Sequence, residues 1–187
     1  MKQAIYGIIL FIFLALPPVV DLAESIMAIH MHAQMPLIGI AGMLMAPYLQ
    51  QKFPRFFEKW NENGVPGIVL FLIVFIYWVI PRAMDDALAS GAVEVFKFFS
   101  WAFLIGVPLR LSWPKLTKAW QYIVLLVVAV SYSIMAVLYL FSPDQLCNNY
   151  LIVDQRILGW SFLLIVFVII LYILQDLFID KSAYEAE

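Results

Sequence analysis

Both histidines of this chain lie two residues apart, in Ser25-Ile-Met-Ala-Ile-His-Met-His-Ala-Gln-Met-Pro, among three methionines. Imidazole and thioether together are donors that suit copper, with thioether selecting the reduced ion, whereas magnesium and calcium take oxygens. His30, His32, Met27, Met31 and Met35 are therefore the candidate metal ligands. On a helix of about 3.6 residues per turn, Glu24, Met27, Met31 and Met35 line one stripe, and His30 and Gln34 lie beside it at i, i+4 spacing. His32 points roughly the other way, so a regular helix does not offer both imidazoles to one metal. Pro36 has no N–H to give the carbonyl of His32 and is expected to kink the helix there. The same residue types also serve a structural purpose, because methionines fill gaps between helices and histidines hydrogen-bond across them.

The elements that hold these residues are apolar. Of 187 residues, 65% are hydrophobic and 13% charged, with a mean hydropathy of +0.94. Soluble domains run at about 45–50% apolar and about 25% charged, so a water-soluble globular domain is excluded. The apolar runs are long and unalternated, which selects helical spans over barrel strands. The expectation is an all-α, single-domain integral membrane bundle over residues 1–187, with six transmembrane helices at about residues 4–20, 25–49, 65–81, 95–113, 120–141 and 157–175. Lys2 ahead of an apolar run imitates a secretory signal, but the first span is expected to be retained.

Eight basic residues (Lys2, Lys52, Arg55, Lys59, Arg110, Lys115, Lys118 and Lys181) fall on one side of these spans, against Arg82 and Arg156 on the other. The positive-inside rule then places both termini in the cytoplasm. The segment Gln50 to Asn63 mixes Phe and Trp with charges, as an interfacial segment does. Seven of the thirteen acids, namely Asp21, Glu24, Asp85, Asp86, Glu94, Asp144 and Asp154, gather on the opposite, outer face. Lys97, just inside the fourth span, has two readings: it snorkels to the interface, or it pairs with Asp85, Asp86 or Asp154.

The string MAIHMHAQMPL resembles the H-M-x-Q-H-M-L-L signature of the CtaG family, membrane proteins tied to assembly of cytochrome c oxidase and its copper. Trp78-Val-Ile-Pro-Arg-Ala-Met-Asp-Asp-Ala-Leu is similar to that family's W-H-x-P-x-x-Y-D-A-A-L, with Trp78, Pro81, Asp85, Ala87 and Leu88 in register, and Asp154-Gln-Arg-Ile-Leu-Gly resembles its D-Q-x-L-x-G. The three stretches keep the family order and cover Ser25 to about Gly159. The departures fall on histidines: Gln34, Val79 and Lys97 stand where the family has imidazoles. Val79 cannot bind a metal, and the charge of Lys97 repels one.

The resemblance implies a copper-handling factor acting at the outer face of a bacterial-type inner membrane, during assembly of a respiratory oxidase or another copper membrane enzyme. The alternative is a non-catalytic accessory subunit of a larger membrane complex, with a degenerate metal site. Either way the expected partners are the lipid bilayer and a membrane protein such as a copper-containing oxidase, and the expected outer-face cluster is Gln34, Asp85, Asp86, Lys97, Asp154 and Gln155. No phosphate-binding loop, G-x-S-x-G or H-E-x-x-H occurs, so no enzyme activity is expected. A net charge of -2 makes nucleic acid an unexpected partner. Cys147, the single cysteine, excludes an intrachain disulfide.

Overall fold

The computed structural model describes residues 1–178, so Lys181 of the basic count lies outside the described residues. Helix dominates, and no strand occurs among the described residues. The order is α1 (Lys2–Leu14), α2 (Pro17–Glu24), α3 (Met27–Lys52), α4 (Pro54–Trp60), α5 (Val65–Val79), α6 (Pro81–Ala89), α7 (Gly91–Lys115), α8 (Lys118–Phe141) and α9 (Ile152–Phe178). Helices α3, α7, α8 and α9 are each long and apolar enough to cross a membrane. The count rises to six if the bent pairs α1–α2 and α4–α5 each form one span.

Prolines set the breaks. Pro17, Pro54 and Pro81 each stand at a helix start, where the missing N–H costs nothing and the fixed φ suits the first turn. The first expected span is thereby divided: α1 stops at Leu14, and α2 leaves it at 69°. The expected second span appears as the unbroken helix α3, which begins at Met27; α2 ends at Glu24, and the chain is extended at Ile26 between them. Glu24 therefore belongs to a different helix from Met27, and the continuous stripe from Glu24 to Met35 does not exist.

Two prolines lie inside long helices, and the backbone absorbs them by widening. Residues His30–Gln34 of α3 and Ser100–Gly106 of α7 are π-helical, ending two residues before Pro36 and Pro108. Met35 N–H bonds the His30 carbonyl and Val107 N–H bonds the Ala102 carbonyl, each five residues back. The extra residue per turn takes the preceding carbonyl away from the proline ring. Pro36 thus produces a wide turn where a kink was expected.

Helix α3 is central. Its Gly42 meets the Ala102 carbonyl of α7, and Gly106 of α7 meets the Gly39 carbonyl of α3, so closely that a Cβ at either glycine would overlap the facing oxygen. Such approach of small residues is what holds helices together in lipid, where apolar burial gives no net drive. On the other side α1 lays Phe11 against Phe98 and Phe103 of α7, with ring centroids 6.2 Å apart in both pairs. Helices α8 and α9 form an antiparallel hairpin. Lys118 Nζ and Tyr122 Oη each donate to Asp176 at 2.9 Å at one end, and Tyr139 stacks on Phe162 at the other.

At the end of the bundle that carries residues 52–64 and 112–118, Asn61 is the knot. Its Oδ1 accepts from the Gly67 N–H at 3.1 Å, its Nδ2 donates to Ser112 Oγ at 3.0 Å, and its carbonyl accepts from Lys115 Nζ at 2.6 Å. Gly64 beside it has φ +79°, the left-handed region that lets the chain turn into α5.

Gly42→Ala is expected to cost several kcal/mol or to abolish folding, because the facing atoms are backbone. Gly91→Ala, where a Cβ meets nothing within 4 Å, should cause no loss. Unfolding midpoints of both variants in one detergent check the contrast; equal behaviour would show that the α3–α7 contact is not close.

Candidate functional site

The end of the bundle formed by residues 15–27, 80–91 and 142–151 holds a continuous polar network. At its centre is Lys97 of α7, fully buried. Its ammonium is in contact with the Glu24 carboxylate at the end of α2 and lies 3.4 Å from Nε2 of His30 on α3. The third side of the ammonium faces the Phe98 ring, 5.1 Å from its centroid. Lys97 neither snorkels to the interface nor pairs with Asp85, Asp86 or Asp154. The expected partners were the wrong acids, because the break between α2 and α3 swings Glu24 over the lysine.

The hydrogen-bond balance fixes the state of His30. Tyr150 Oη donates to the Glu24 carbonyl at 2.7 Å, so at 3.0 Å it can only accept from His30 Nδ1–H. Nε2 then carries the lone pair and accepts from the Lys97 ammonium. Both ring nitrogens are engaged, and the one free to bind a metal faces a cation. This arrangement does not fit a copper ion at His30.

His32 diverges from His30, as its spacing implies. Ser161 Oγ gives its proton to the Leu158 carbonyl, so His32 Nε2–H donates to Ser161 at 2.7 Å. The ring stands edge-on to Phe162, centroid to centroid 4.9 Å. His32 thus ties α3 to α9. Met27, Met31 and Met35 are buried in the main hydrophobic core. Among the described residues, no group of three or more His, Cys, Asp or Glu side chains is placed to hold a metal ion.

The remaining residues of the expected cluster divide. Asp85 is buried and accepts three N–H bonds, from Asn148 N at 2.8 Å, Asn148 Nδ2 at 3.0 Å and Asn149 Nδ2 at 3.1 Å. Gln155 Oε1 accepts from Leu146 N–H at 2.9 Å, and its Nε2 reaches the carbonyls of Cys147 and Tyr150. Together they clamp the 142–151 loop and so place Tyr150 over His30. Asp86 pairs with Arg82 at 3.2 Å on the surface and stays out of the network. Asp154 is half-buried and forms no hydrogen bond or ion pair among the described residues. Gln34 is buried with both carboxamide atoms unpaired among the described residues. An unmet amide of this kind costs about 1–3 kcal/mol.

Several members carry no sequence signal. Trp78 Nε1–H donates to Ser100 Oγ at 2.8 Å, and Ser100 donates to the Lys97 carbonyl at 3.1 Å, which anchors the lysine backbone. Tyr150, Ser100, Asn148 and Asn149 are common residue types at unremarkable spacings. Burial, reinforced by the charge of Glu24, then Cys147, Asp85 and Asp154, raises the Tyr150 phenol well above its ordinary range. It remains a protonated donor at every physiological pH. Burial likewise pushes the Cys147 thiol up to about 11, against the hydrogen bond from Tyr139 that lowers it. Cys147 is therefore a packed thiol with little nucleophilic character.

Comparison with protein-family models, with curated proteins and with solved structures gives no match to this chain.

Removing one partner of a buried ion pair strands the other, at about 3–5 kcal/mol. Lys97→Met and Glu24→Gln should each destabilise on that scale, while the double variant recovers a large part of the loss. Denaturant unfolding in detergent reads the cycle. Additive losses would show that the two side chains do not interact.

Proposed function

We propose that this chain is a non-catalytic accessory subunit of a larger membrane complex, built on a CtaG-like six-span frame. In that frame a lysine–glutamate pair stands where a metal-binding centre would be. The supporting observation is the Lys97 ammonium between the Glu24 carboxylate and His30 Nε2. It supplies locally the positive charge that a bound cation would give, and it uses the imidazole lone pair that a cation would need. A copper-handling factor requires a donor site that opens and releases. Here His30 is braced by Tyr150 from a loop that Asp85 and Gln155 clamp in place.

In this reading α1–α2 makes one bent span, α5 crosses with α4 lying at the interface, both termini are cytoplasmic, and the polar network faces outward from a bacterial-type inner membrane. The basic residues Lys52, Arg55, Lys59, Arg110, Lys115 and Lys118 support that sidedness. The long apolar face of α9, with Trp160, Leu164, Phe167 and Leu171 exposed, supplies surface for a membrane protein partner.

Purification of the tagged protein in mild detergent should yield it at fixed stoichiometry within a larger complex, and protein prepared under reducing conditions should not retain stoichiometric copper. Recovery as a monomer holding one copper that the exchanges His30→Ala and Met31→Ala remove would overturn the proposal in favour of copper handling.

A further inference from the structure

Helix α4 leaves α5 at 85°, an angle that lays it along the membrane surface if α5 crosses. Its two faces differ. Phe56 and Trp60, with Leu49, Leu70 and Leu104 from α3, α5 and α7, line an open apolar cleft of about 420 Å3. On the charged side, Arg55, Glu58, Lys59, Glu62 and Lys115 surround a hollow of about 520 Å3. Asn61 links the two, since it lines the cleft and its carbonyl holds Lys115 of the hollow at 2.6 Å.

Apart from that bond of Lys115, the charges of the hollow are not paired with one another. Among the described residues neither Arg55, Lys59 nor Lys115 forms an ion pair with Glu58 or Glu62. Five charged side chains of both signs share one concavity without neutralising one another, and the short helix α4 lines both this hollow and an apolar cleft suited to a hydrocarbon tail. An anionic headgroup would satisfy the cations and leave both carboxylates facing its charge. A quaternary ammonium offers the carboxylates no N–H donor.

The geometry points to a specific binding site for a phospholipid whose headgroup carries both a phosphate and a primary ammonium, the phosphatidylethanolamine class. One acyl chain lies in the cleft between Trp60, Leu70 and Leu104, the phosphate meets Arg55, Lys59 and Lys115, and the ammonium donates to Glu58 and Glu62. The site rests on the membrane placement of α4 alone. It stands or falls independently of the accessory-subunit proposal.

Native mass spectrometry of the full-length protein, released from nanodiscs holding equal amounts of phosphatidylethanolamine, phosphatidylcholine and phosphatidylglycerol with matched acyl chains, tests it. Wild type should retain one phosphatidylethanolamine at least about threefold over either competitor, the order of one exposed ion pair. Glu58→Gln with Glu62→Gln should shift the preference to phosphatidylglycerol, and Arg55→Ala with Lys59→Ala should abolish discrimination among the three. All four positions are exposed, so these variants leave the core untouched. Leu70→Trp, which fills the cleft, should release the lipid. Equal retention of the three lipids by wild type, a wild-type preference for phosphatidylglycerol, or a preference that survives both charge variants would overturn the site.

Discussion

A fully buried ammonium dictates the rest of this structure. Desolvating Lys97 costs several kcal/mol unless a carboxylate and further hydrogen-bond partners surround it, and in a membrane-spanning bundle water is not at hand to help. The fold meets that demand from four directions. The break after α2 brings Glu24 across, the wide turn of α3 presents His30, Ser100 fixes the lysine backbone, and Tyr150 closes the network from a loop. Each contribution comes from a different part of the chain, so the ion pair is also the point where α2, α3, α7 and the 142–151 loop are held in register.

The two π-helical segments belong to the same design. Wide turns are found disproportionately at functional sites because they redirect side chains that a regular helix would space at 100°. His30 and Gln34 bound one such segment, and Lys97 lies three residues before the start of the other. The close contacts of Gly42 with Ala102 and of Gly106 with Gly39 lock the wide segment of α7 to the part of α3 that follows its own wide turn, and so fix the separation across which Lys97 and His30 meet. Packing, more than propensity, thus sets the distance at the centre of the network.

Much of this was legible in the residues. Apolar run length located the long helices α3, α7, α8 and α9, because a stretch of about 20 apolar residues has few other uses. The divergence of His30 and His32 followed from helical period alone. The consequence of Pro36 was half legible: a missing N–H demands a local change, but whether the backbone bends or widens depends on the helix packed against it. The partner of Lys97 was not legible, since a continuous helix would hold Glu24 on the methionine stripe, and only the extended backbone at Ile26 frees it to reach the lysine. Tyr150 had no signal, because its role comes from a loop conformation set by Gln155 nearby and by Asp85, more than 60 residues away.

In this structure the Lys97 ammonium occupies the lone pair of His30 Nε2 that a metal ion would need. Nitrogen-15 solid-state NMR of histidine-labelled protein in lipid reads this directly, with His32→Gln used for assignment. A neutral His30 ring protonated at Nδ1 is expected, with an Nε2 resonance that responds to Lys97→Met and does not shift when cuprous ion is added. A ring protonated at Nε2, or an Nε2 resonance that moves with copper while Lys97 is in place, would contradict it.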